Sequence, residues 1–276
     1  MPTEPTVSPG VRSVPVRRRG ERLERDLVVV EEPLEIRVDG KPLVVTMRTP
    51  GHDAELAAGF LFGEGVLSDA DDVASVRAEG GFRQRDTQIR VANFSGDAVN
   101  VALREGAAKP NVTHAERNFR ATAACGVCGK TEIADLDSDL PPIVPIEIDP
   151  RLLETLPETL RLSQELFEAT GGIHAAGLFD RHGSLLCTRE DIGRHNAVDK
   201  VIGHFVLKKA VPLSDHILVV SGRAGFELVQ KALKASIPAM VSVGAASSLA
   251  VQMATDAGMA LYSFARPGHG NLHVKE

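Results

Sequence analysis

Between residues 171 and 264 short apolar runs alternate with stretches of helical period, and this alternation leaves few architectures open. Apolar runs lie within 171–179 and at 185–187, joined by a turn at 180–183. The next stretch pairs Ala197 with Val198, Val201 with Ile202 and Phe205 with Val206, one pair per turn at a period of about 3.6 residues. Strands at 216–220, 239–243 and 259–264 are then separated by helices at 225–235 and 247–257. Strands alternating with helices predict an α/β layer with largely parallel strands. Helical patterns at 150–156 and 158–169 precede it.

In open α/β sheets ligands bind at the carboxyl ends of the strands, where helix N-termini offer free N–H groups to phosphate. Ser221-Gly222-Arg223-Ala224-Gly225 and Gly244-Ala245-Ala246-Ser247-Ser248 fall between strand and helix, and Arg266-Pro267-Gly268-His269-Gly270 follows the last strand. A single Gly/Ser loop commonly does no more than start a helix. Three in succession, two of them with arginine, point to a phosphorylated ligand.

Before residue 105 the pattern is different. Strand-like runs at 27–30, 34–38 and 43–47 surround Asp39-Gly40, a hairpin signal. A helix follows, starting near Thr49 or Asp53, with Leu56, Phe60 and Leu61 on one face and Gly63 and Gly65 at its end. Short strands are predicted at 72–77, 87–93 and 98–103. The fold class is therefore α/β with an α+β N-terminal part: a smaller antiparallel β domain over 11–104 and an α/β domain over 148–276. Residues 1–10 are expected to be disordered, and 105–147 form a connector in which apolar periodicity fades.

With 43% hydrophobic residues but no Trp and one Tyr, a sizeable core must be built from Val, Leu, Ile and Ala. The net charge of −6 argues against general nucleic-acid binding. The arginine-rich run from Arg12 to Arg25 is followed closely by acidic residues and reads as a solvated edge. No stretch resembles a signal peptide, and none approaches the roughly 18 apolar residues of a membrane helix. A cytoplasmic location is expected, where cysteines stay reduced.

Two of the three cysteines lie in the connector, in Ala124-Cys125-Gly126-Val127-Cys128-Gly129-Lys130. Two thiols this close suit a redox pair, half of a zinc site, or one nucleophile with a neighbour. The glycines leave the sulfur unshielded, and Lys130 favours the thiolate. Cys187 sits in an apolar run and reads as a core residue. In Arg189-Glu190-Asp191-Ile192-Gly193-Arg194-His195-Asn196-Ala197-Val198-Asp199-Lys200, Asp191 is placed to cap a helix, and His195 and Asp199 share a face by their spacing. That face is expected to point away from the apolar pairs, with a carboxylate orienting His195 near the ligand or the sulfur. A polar helix start with satisfied side chains explains the spacing equally well. His174, alone amid glycine and alanine, is more simply packed than functional.

Cys-Gly-Val-Cys-Gly at 125–129, Gly-Gly-Ile-His-Ala-Ala-Gly at 171–177, Asp-Ile-Gly-Arg-His-Asn-Ala-Val-Asp-Lys at 191–200 and Ser-Gly-Arg-Ala-Gly at 221–225 together resemble the FdhD family, the formate dehydrogenase accessory sulfurtransferases. The resemblance spans about residues 15–272. It implies a sulfur carrier that takes persulfide sulfur from a cysteine desulfurase and passes it to the bis(molybdopterin guanine dinucleotide) molybdenum cofactor for the formate dehydrogenase catalytic subunit. Carried over, Cys125 holds the persulfide, and Cys128 assists or is dispensable. Cofactor binding falls to Phe264, Ala265, Arg266, Pro267, Gly268 and His269, although Pro267 and His269 depart from the family's usual small and basic residues. Ser221, Gly222, Arg223, Arg194 and His195 receive binding or orienting roles. The resemblance further implies a homodimer and a cytidine deaminase-like three-layer C-terminal domain. Deamination itself is not expected: His174 lacks the following Glu of His-x-Glu, and no proline precedes Cys125. A structural metal is not expected either.

Three rival readings remain. A dithiol oxidoreductase would need both cysteines equally, but its Cys-x-x-Cys normally opens a helix beside a βαβ pattern. A non-covalent cofactor chaperone would need the 264–269 loop and neither cysteine. Zinc binding by Cys125 and Cys128 lacks a second cysteine pair, with His114 only a loose candidate.

Overall fold

The computed structural model describes residues 8–17, 23–82, 96–107, 140–141 and 143–274. A two-stranded antiparallel ribbon opens the chain, β1 (Val11–Arg17) with β2 (Leu23–Val29). Gly10 just before it is buried; a Cβ there would meet Leu166 at 2.9 Å.

β3 (Glu32–Val38) and β4 (Lys41–Arg48) form the expected hairpin. Asp39 and Gly40 adopt φ of 48° and 76°, both left-handed, as a two-residue turn between right-twisted strands requires. α1 (Asp53–Gly63) follows, then β5 (Val73–Phe82) and β6 (Gly96–Leu103), giving a sheet of order β4-β3-β6-β5. The sheet is mixed where a purely antiparallel one was expected, because β6 turns back from β5 into the place beside β3 and runs parallel to it. Alternation of apolar residues sets which face is buried and says nothing of a neighbour's direction. The strand predicted at 87–93 lies outside the described residues.

The second part contains α2 (Pro150–Leu162), α3 (Glu165–Thr170), β7 (His174–Asp180), β8 (Leu185–Asp191), α4 (Arg194–Leu207), β9 (His216–Val220), α5 (Phe226–Lys234), β10 (Ala239–Ser242), α6 (Ser248–Ala257), β11 (Ala260–Arg266) and β12 (His269–His273). Its sheet has the order β12-β11-β10-β9-β7-β8. Only β9, β10 and β11 are parallel; β7 opposes both its neighbours, and β12 opposes β11. The helical break expected near 157 falls instead at 163–164, and Pro157 lies inside α2. Asp149 caps that helix, and Leu153, Leu156 and Leu160 bury one face of it.

Helices cover both faces of this sheet, which makes the three-layer α/β arrangement. Phe179, Ile217, Val219, Val241 and Tyr262 pack toward α2. The alternate residues Leu178, Leu218, Val220, Met240 and Leu261 join a core that includes α4, α5 and the inward residues of β3 and β6. One apolar core thus continues from the N-terminal sheet into the larger one. At its centre α1 crosses α4 through two glycines. A Cβ on Gly59 would stand 1.8 Å from the Asp199 carbonyl oxygen, and one on Gly203 1.8 Å from that of Glu55.

Candidate functional site

The carboxyl ends of β9, β10 and β11 carry the three loops singled out above, and backbone hydrogen bonds lock them edge to edge. Gly244 N donates to Gly222 O at 3.0 Å, Ala224 N to Ala245 O at 3.0 Å, and Phe264 N to Gly244 O at 3.1 Å. The third loop is a hairpin turn between β11 and β12, whereas the other two lead into helices. Its register shifts between Ser263 and Arg266, a bulge that swings Phe264 outward with φ of 54°. A bulky side chain in the left-handed region is uncommon, and this one is exposed on the loop face. Ala265 is buried, whereas Arg266, Pro267, Gly268 and His269 are exposed. Glu154 on α2 pins the turn: it accepts from Tyr262 Oη and from Gly268 N, both at 3.0 Å. Gly270 is required here, since a Cβ would meet the Tyr262 ring at 2.0 Å.

The 191–200 run divides into two jobs. Asp191, Asn196 and Lys200 tie the two parts of the chain together. Asp191 is fully buried; it pairs with Lys200 Nζ at 2.7 Å and accepts from Thr49 N, Gly193 N and Asn196 Nδ2. Lys200 Nζ also donates to Thr49 O, and Asn196 Nδ2 to Met47 O. Asp191 therefore supports the start of α4 by binding Gly193 N, while the cap residue itself is Gly193, which has no side chain to offer. Asp199 does not join His195 on a polar face as expected. It is buried against Lys231 Nζ at 2.8 Å, beside the Gly59–Gly203 crossing. Burial pushes its carboxyl up and the Lys231 ammonium opposes that shift.

Arg194 and His195, by contrast, face the loops. A Cβ on Gly222 would lie 3.4 Å from His174 Nδ1 and 3.8 Å from Arg194 Cδ, so both side chains close over this glycine. His195 finds its carboxylate on α5, with Glu227 Oε2 2.7 Å from Nε2. His174 belongs to the same cluster. Burial, then the charges of Arg194 and His195, lower its pKa and keep the imidazole neutral at neutral pH. Arg194 Nε is buried with no hydrogen-bond partner among the described residues. Arg223 is exposed and its stem lies over Gly244. Ser221 Oγ accepts from Ala175 N at 2.9 Å and holds its own loop. Both α4 and α5 begin here on glycines, Gly193 and Gly225, with no side-chain cap on their N–H groups. The arrangement suits an oxyanion: two uncapped helix starts, with Arg194 and His174 over Gly222 and Arg223 over Gly244.

Cys125 and Cys128 lie outside the described residues. Cys187 is buried in β8, where burial raises its thiol pKa, so it behaves as the core residue expected.

The FdhD/NarQ family model matches residues 29–276. The chain belongs to the FdhD/NarQ family. Among its relatives, "Sulfur carrier protein FdhD" of Corynebacterium efficiens is 50% identical over 252 residues, covering 91% of this chain and 90% of the relative. The Mycobacterium tuberculosis protein of the same name is 43% identical over 273 residues, covering 94% and 96%. A crystal structure described as a putative formate dehydrogenase accessory protein from Desulfotalea psychrophila superposes with a TM-score of 0.70 at 23% identity, covering 95% of each chain. That likeness establishes the fold. Most polar residues of the 191–200 run, Asp191, Asn196, Asp199 and Lys200, build the scaffold. Sequence reasoning missed Glu227 and Glu154. A glutamate in the first turn of a helix is ordinary, and nothing in its spacing ties it to a histidine 32 positions earlier.

Proposed function

We propose that this chain is a sulfur carrier whose Cys125 takes sulfur from a cysteine desulfurase and delivers it to the bis(molybdopterin guanine dinucleotide) molybdenum cofactor. The observation that carries this reading is near-full-length similarity to relatives named sulfur carrier proteins. The sequence Cys125-Gly126-Val127-Cys128-Gly129-Lys130 adds two thiols, each followed by glycine, with a lysine two positions past the second, a composition that favours the thiolate. In the loading step the Cys125 thiolate attacks the outer sulfur of the donor persulfide. A new S–S bond forms, the donor S–S bond breaks, and the donor cysteine leaves as a thiolate. Cys128 assists without being the carrier.

The cofactor is the substrate of the second step. Its phosphates are held at the starts of α4 and α5 by Arg194, Arg223 and His195, with the 264–269 hairpin against its remaining surface. Residues 105–147 join the β-rich part, 11–104, to the α/β part, 148–276, and include the sulfur-bearing Cys125. The protein acts in the cytoplasm as a homodimer, and its recipient is the formate dehydrogenase catalytic subunit.

Reconstitution tests this reading. Formate dehydrogenase matured with the wild-type chain, a desulfurase and cysteine is expected to be active, and enzyme matured with Cys125→Ala inactive. Full activity with Cys125→Ala would leave only a non-covalent chaperone.

A further inference from the structure

Arg194 and His174 close over Gly222, and His195, next to Arg194 in sequence, meets a carboxylate. Glu227 places Oε2 2.7 Å from His195 Nε2, with the two side chains only 19% and 24% exposed. The charged and titratable groups around that imidazole come from four elements. Arg194 and the buried Asp199 lie on its own helix α4, Glu227 on α5, His174 at the start of β7, and Asp191 at the end of β8. Two of the acidic groups are committed elsewhere, Asp191 to Lys200 and Asp199 to Lys231. Glu227 is left as the carboxylate that engages His195 directly.

A carboxylate in a pocket that gathers cationic groups opposes an anion unless it serves one of those groups. We propose that Glu227 is a positioning residue, fixing through its contact with Nε2 the His195 imidazole that meets, with Arg194, the phosphate of a guanine nucleotide. This rests on the cofactor-binding reading above. With Nε2 engaged by Glu227, Nδ1 is the ring nitrogen left for the ligand, and the pair removes the ring's freedom to turn away. His174, held neutral across Gly222, adds no competing charge. The simpler alternative is that Glu227 only complements the positive end of the α5 dipole. In that case its loss costs stability and leaves binding alone.

Calorimetric titration of the full chain with guanosine diphosphate separates the two. The proteins are wild type, Glu227→Gln, Glu227→Asp, His195→Asn and the double variant Glu227→Gln/His195→Asn. Glu227→Gln and His195→Asn are each expected to weaken binding about tenfold, the size of one lost charge-assisted contact. The double variant is expected to bind no worse than His195→Asn alone. Normal binding by Glu227→Gln, or losses that multiply in the double variant, would overturn the proposal. If Glu227→Gln does not fold, Glu227→Asp decides: binding stronger than that of His195→Asn supports the proposal, and binding as weak or weaker overturns it. A wild-type chain that binds no guanosine diphosphate would instead remove the cofactor-binding reading itself.

Discussion

Asp191 and Lys200 are buried to 0% and 1% exposure, and their contacts tie α4 to β8 and both to the segment around Thr49. Removing one partner leaves the other charge buried alone. Asp191→Asn is therefore expected to cost about 3–5 kcal/mol in urea unfolding. A cost below about 1 kcal/mol would show that the pair is solvated in solution. Glu55, at the same junction, makes a pH-dependent contribution. Burial alone would raise its carboxyl, but hydrogen bonds from Arg189, His52 and His204, with the charge of Arg189, outweigh it and hold the group well below the usual carboxylate range. Because the folded value is lowered, the stabilisation is complete above the ordinary value of 4.5 and is lost as pH falls toward the folded value. Melting temperature is expected to drop between about pH 5 and about pH 3, and to drop less in Glu55→Gln, which already lacks the contribution at neutral pH. Equal slopes would assign the acid sensitivity to other carboxylates.

The α1–α4 crossing and the 264–269 hairpin are the elements on which position depends. Gly59→Ala or Gly203→Ala pushes a methyl group into backbone, and no rotamer relieves that clash. Each is expected to cost at least about 1–3 kcal/mol in denaturant unfolding, with the two helices forced apart. At the hairpin, Glu154→Ala removes both anchors of the turn and is expected to raise amide exchange at Gly268 without unfolding the sheet. Unchanged exchange would mean that the bulge alone holds the turn. These elements also show what a sequence carries. The helix patterns, the Asp39-Gly40 turn and the three loops were legible, because periodicity and turn chemistry are local. The parallel β3–β6 pairing was not, since it depends on which strand returns to which edge. Nor was the inward turn of Asp199: four-residue spacing gives a shared helix side, while Gly59, Gly203 and Lys231 decide that this side is buried. His195 needed a carboxylate and found one on another helix, a contact no local spacing encodes.

At the scale of the molecule, two sheets share one core, a face suited to an oxyanion lies at the strand ends of the larger sheet, and Cys125 and Cys128 fall between the two sheets in sequence. Sulfur carriage requires the face to hold a substrate and a cysteine to hold a sulfur. The scaffold residues of the 191–200 run flank Arg194, which closes over Gly222, and His195, which pairs with Glu227. Cys187 is buried in β8 with its thiol pKa raised by burial, the opposite of what a sulfur-accepting thiolate requires.

The most direct measurement is the intact mass of the folded chain after incubation with a cysteine desulfurase and cysteine, for wild type, Cys125→Ala and Cys128→Ala. A mass gain of whole sulfur atoms, reversed by thiol reductant, is expected in wild type and in Cys128→Ala and absent in Cys125→Ala. No gain in any of the three, or a gain that survives in Cys125→Ala, would contradict Cys125 as the sulfur carrier.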